Sequence, residues 1–109
     1  MNALPVPLAR FAATHLGSLD DLKVLALCVE QRDRWHDAPG IARTLGIPRG
    51  AARNALEHLA RNNLLDVRIT GDLRYRFRPG TSELESQALA LVDEYHRNPG
   101  HASEAIRDK

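Results

Sequence analysis

Arg49, Arg53 and Asn54 stand at spacings that place them on one side of a helix. Arg carries a planar fork of donors that fits a phosphate or the edge of guanine, and Asn can pair with adenine through two hydrogen bonds. A second set, Arg68, Arg74, Arg76 and Arg78, occupies alternate positions of an extended pattern. A row of such cations holds phosphate by charge. Arg43 stands just ahead of both sets and suits a phosphate as well.

The other reactive side chains form no comparable sets. Cys28 is the single cysteine and sits among Leu25, Leu27 and Val29, so it reads as a buried structural thiol. With no second cysteine there is no intrachain disulfide. His15, His36, His58, His96 and His101 have no metal-ligand spacing, and no metal or other cofactor is expected. No Gly-rich phosphate loop, Ser/His/Asp grouping or carboxylate pair in a cleft is evident, so no catalytic residue is assigned and the chain does not read as an enzyme.

Net charge is +1, too small to imply a polyanionic partner by itself. Its distribution is more informative. Residues 43–78 hold eight Arg against Glu57, Asp66 and Asp72, whereas residues 79–109 are acidic. Thirteen of the 15 basic residues are Arg, which a GC-rich bacterial genome would also produce. No apolar run is long enough to cross a bilayer, and residues 1–7 lack the basic start and apolar core of a signal peptide. A cytoplasmic location with no membrane partner is the default expectation.

These residues need elements to position them. Residues 1–7 read as an extended arm broken by Pro5 and Pro7, and residues 8–16 as a short helix ended by Gly17. Ser18 caps a helix that reaches about Asp33, with Asp20 and Asp21 in its favoured first turn. Arg34, Trp35 and His36 make a short link, suited to one isolated strand. Asp37 caps the next helix, with Pro39 tolerated in its first turn.

Residues 41–77 organise the chain. Ile41, Leu45, Ile47, Ala52, Ala55, Leu56 and Leu59 turn inward if two helices cross steeply, with Ala42 small at the approach. Gly46 sits where the chain needs a left-handed backbone. Pro48 leaves the second helix, residues 49–62, without a side-chain cap. Leu65, Val67 and Ile69 alternate with polar residues, as do Leu73, Tyr75 and Phe77, around Gly71-Asp72, a favoured two-residue turn. One hairpin face packs on the helices and the other carries the four Arg.

The string Ala42, Gly46, Ile47, Ala52 and Leu56, with a hairpin directly behind it, resembles the winged helix-turn-helix superfamily over residues 18–78. The resemblance implies a mainly α fold with a small β-hairpin: a winged helix-turn-helix plus flanking N- and C-terminal helices. It implies double-stranded DNA as partner, with Arg49, Arg53 and Asn54 in the major groove and Arg43, Arg68, Arg74, Arg76 and Arg78 on the backbone. It further implies a bacterial transcriptional regulator that pairs as a homodimer.

Past Pro79-Gly80, a capping box at Ser82–Glu85 opens a further helix. Leu84, Ala88, Leu91 and Tyr95 form a coiled-coil-like seam on it, assigned to dimerisation. Residues 98–109 read as a polar tail. The units are thus 1–17, arm and short helix; 18–80, winged helix-turn-helix; 81–97, C-terminal helix; and 98–109, tail. A different function is open to the same fold: a protein-interaction adaptor without DNA binding, docking a protein partner on the 84–95 seam or the hairpin.

Overall fold

The computed structural model describes residues 4–107. It is mainly helical with one small antiparallel hairpin. The order is α1 (Val6–His15), α2 (Leu19–Glu30), α3 (Ala38–Leu45), α4 (Arg49–Arg61), β1 (Leu65–Thr70), β2 (Asp72–Phe77), α5 (Ser82–Arg97) and α6 (Pro99–Arg107). None of the described helices is long and apolar enough to cross a membrane.

The N-terminal arm is shorter than expected. Pro5 precedes α1 and Pro7 lies in its first turn, where the missing N–H is not needed. Residues 1–3 of that arm lie outside the described residues. Helix α1 stops before Gly17 because Leu16 turns extended and is fully buried. Ser18 caps α2 as anticipated, its Oγ accepting from the Asp21 N–H at 3.2 Å. Almost the whole circumference of α2 is covered, from Leu22 through Cys28. It ends at Glu30, three residues early, because the chain must straighten to reach the sheet. His36 makes an antiparallel bridge to Tyr75, with N–H···O distances of 2.7 and 2.8 Å.

Asp37 caps α3 by accepting from the Gly40 N–H at 2.8 Å. Gly46 then turns left-handed at φ 67°, and both its N–H and that of Ile47 reach the Ala42 carbonyl. Substituents at Cβ resist that backbone angle, so the sharp turn selects Gly. Pro48 precedes α4 and supplies no side-chain cap. Helix α4 buries Ala52, Ala55, Leu56 and Leu59 against α2 and α3. Full burial of Leu56 and Leu59 stabilises the packing by about 2 kcal/mol each.

The hairpin register differs from a two-residue turn. Leu65 pairs with Phe77, Val67 with Tyr75 and Ile69 with Leu73, so Gly71 alone stands at the apex, at φ 93°. A two-residue Gly71-Asp72 loop would set Thr70 against Leu73 and every apolar residue against a polar one. Keeping like faces together decides the register. The inner face is also only partly covered. Leu65, Tyr75 and Phe77 are buried, but Val67, Ile69 and Leu73 are 39%, 75% and 43% exposed because the hairpin projects past the helices.

Helix α5 is capped by Thr81, whose Oγ1 accepts from the Leu84 N–H at 3.1 Å, one residue ahead of the anticipated Ser82 box. The stretch expected as a polar tail forms α6. Ala102 and Ile106 are buried, with Ala105 packed beside them. That stripe lies against α1, α2 and α5. Lys109 and Asp108 lie outside the described residues. The seam assigned to dimerisation is used inside the chain. Ala88 and Leu91 are fully buried, Leu84 and Tyr95 are half-covered, and α5 contacts α1, α2 and α6. The middle of the seam is thus covered by the chain itself, while Leu84 and Tyr95 at its two ends stay partly exposed.

Candidate functional site

The first half of α4 is held from below and open above. Ala52 and Ala55 anchor it in the core, which leaves Arg49, Arg53 and Asn54 exposed together. No acid lies in its first turn. The three orphan N–H groups of Arg49, Gly50 and Ala51 and the dipole of that end add to the positive field. One turn from the end of the helix, Glu57 pairs with Arg61 at 3.8 Å. Arg43 is exposed on α3.

A hydrogen bond from the core side holds α4 to the start of α2. His58 Nδ1 lies 2.5 Å from Asp21 Oδ2, and the same oxygen accepts from the Gly17 N–H at 2.7 Å. Asp21 is the buried charged side chain of the described residues, 4% exposed. From the sequence it reads only as a favourable first-turn acid. Its separation from His58 in sequence hides the pair until the helices pack.

The hairpin Arg set faces the other way. Tyr75 and Leu73 share a depression with Arg53, Ala38 and Pro39. Arg68, Arg74 and Arg76 therefore project from the opposite side of the sheet. There the guanidinium carbons of Arg68 and Arg76 each lie 4.5 Å from the centroid of the Trp35 ring. Arg76 also approaches Asp66 at 3.7 Å. Arg74 shares a depression with Arg34, Trp35 and Thr44, and Arg78 shares one with Arg32, Arg76 and Glu85. The residues anticipated as one footprint thus form two surfaces, α4 and the outer sheet face.

No spacing in the sequence marks Trp35, Arg32 or Arg34 as neighbours of the hairpin Arg. Trp35 precedes the bridged residue His36, so strand alternation turns its ring to the Arg side. That signal is available only once the bridge to Tyr75 is known. Burial lowers the His36 imidazole below its ordinary pKa, with Arg34 acting in the same direction. Burial likewise raises the Tyr75 phenol, helped by Glu57.

Cys28 is fully buried in α2, and burial pushes its thiol up to about 12. The native protein should therefore resist a thiol reagent at pH 8 by at least ~100-fold relative to the chain in denaturant. Rapid labelling of the folded protein would contradict this burial.

No family model, curated protein or solved structure matches the chain.

Proposed function

We propose that the protein binds double-stranded DNA as a winged helix-turn-helix and acts as a transcriptional regulator. Helix α4 enters the major groove by its N-terminal half. The observation that carries the reading is the unit α3–Gly46–α4, with Arg49, Arg53 and Asn54 exposed together and no acid in the first turn. In that orientation Arg49 and Arg53 reach phosphate or guanine, and Asn54 reaches adenine. The single chain carries this surface. A homodimer on paired half-sites would draw on the partly exposed ends of the α5 seam, Leu84 and Tyr95.

The test is fluorescence anisotropy with a mixed-sequence duplex across a range of salt. Micromolar or tighter binding that weakens steeply with salt is expected, with a slope near −0.9 per phosphate contacted. No binding at low salt would sink the DNA reading.

A second reading has its own support. Val67, Ile69 and Leu73 form an exposed apolar strip on the projecting hairpin. Such strips serve protein docking as readily as they serve any other contact. An adaptor of this kind would show no duplex affinity.

A further inference from the structure

We infer that the free edge of β1 pairs with β1 of a second copy, antiparallel, about a two-fold axis at Val67. The hairpin leaves a definite set of backbone groups over. Tyr75 gives its N–H to His36 at 2.8 Å and its C=O accepts from His36 at 2.7 Å. Both groups therefore point away from β1, and Val67, opposite Tyr75, makes no ladder bond with it. The Arg78 N–H, by contrast, bonds the Leu64 carbonyl at 3.2 Å, which puts the even-numbered residues of β1 in the ladder. The N–H and C=O groups of Leu65, Val67 and Ile69 consequently line the outer edge. Among the described residues β2 is the one strand paired with β1. Asp66 Oδ1 accepts from the Val67 N–H at 3.0 Å, a local bond that an added strand would replace.

Charge selects both the occupant and the register. An axis at Asp66 or at Arg68 would set that residue against its own copy, like charge to like. An axis at Val67 sets Asp66 opposite the partner's Arg68, and symmetry repeats the pair on the other side. Arg68 is available for this. Across the hairpin it faces Arg74, and no acid lies within ion-pair distance of it among the described residues, Asp72 on the same face included. Its guanidinium rests on the Trp35 ring, which Arg76 also covers, so Arg68 can leave and the ring stays capped. On the other face the same register brings Val67 to its own copy. Ile69, 75% exposed in the single chain, meets the partner's Leu65. The backbone, the charges and the apolar side chains thus agree on one pairing of β1 with itself.

This edge is distinct from α4 and from the ends of the α5 seam, and its test needs no DNA. Sedimentation equilibrium of the full chain at high micromolar concentration should show a reversible monomer–dimer equilibrium, weak as small interfaces are. Arg68→Asp should weaken the dimer about tenfold, because Asp then opposes Asp at both symmetric positions. Within the hairpin the same change relieves the Arg68–Arg74 repulsion, so the fold should persist. Asp66→Arg/Arg68→Asp restores opposite charges across the axis and should restore association. Val67→Pro removes the central edge N–H, which no ladder bond uses, and should abolish the dimer while circular dichroism stays that of the native chain. Leu84→Glu should leave the equilibrium unchanged.

Three results would overturn the inference. The chain could stay monomeric at every concentration. The dimer could be lost on Leu84→Glu and indifferent to Arg68→Asp, which would assign it to α5. Or the charge-swapped double variant could associate no better than Arg68→Asp alone, which would exclude the axis at Val67.

Discussion

Asp21→Ala should lower the stability of the protein by about 2–3 kcal/mol. Urea unfolding followed by circular dichroism would read this as a fall in midpoint at unchanged slope. The corresponding loss in melting temperature is roughly 10–15 °C for a domain of this size. The reason is that one buried oxygen serves two partners, the Gly17 N–H and His58 Nδ1. Its removal takes one partner from each. The penalty stays below that of a fully buried ion pair because the His58 side chain is 37% exposed and regains water. Asp21→Asn keeps the shape and one acceptor, so it should cost about half as much. Wild-type midpoints for both variants would show that the pair merely decorates the packing. The consequence reaches α4, since this bond ties its second half to the start of α2.

Arg49→Ala/Arg53→Ala should reduce duplex affinity by about 10- to 100-fold at 150 mM salt and flatten the salt slope by about 2. Both side chains are exposed, and alanine is the better helix former, so the fold should persist. The magnitude distinguishes two modes of contact. Loss spread evenly over all sequences would mark phosphate contacts. Loss concentrated on one sequence would mark base contacts, worth about 1–3 kcal/mol each. Asn54→Ala then separates them further, because an amide carries no charge and should leave the slope alone. Unchanged affinity in the double variant would remove α4 from the mechanism.

The parts of the fold that were legible in the sequence are those set by local chemistry. Asp37 and Ser18 cap helices because their side chains reach the next exposed N–H. Gly46 marks a turn because other residues resist its backbone angle. The alternation around Gly71 shows a hairpin, although its register needed the pairing of faces to settle. What escaped depends on distant partners. Helix α6 has only Ala102, Ala105 and Ile106 to bury, too little to stand out from a polar stretch without α1 in view. That Ala88 and Leu91 of the α5 seam are covered within the chain also depends on distant partners, α1, α2 and α6. Asp21 and His58 are unremarkable until α2 meets α4.

The site was legible in the same proportion. Arg49, Arg53 and Asn54 follow directly from which side of α4 carries Leu56. Alternation places the hairpin Arg on the face away from the helices. It does not show that Arg53 shares a depression with the opposite face, beside Leu73 and Tyr75. Trp35 could be assigned only through the bridge between His36 and Tyr75.

The packing of α6 on α1 has a kinetic meaning. These helices come from opposite ends of the described chain, so their contact closes its longest loop. Contacts of that span form after local ones such as the α3–α4 turn and the hairpin. If they form after the barrier, Ile106→Ala should speed unfolding and leave the folding rate nearly unchanged. The clasp is thus expected to govern how long a folded molecule survives, and equal slowing of folding by that variant would contradict this.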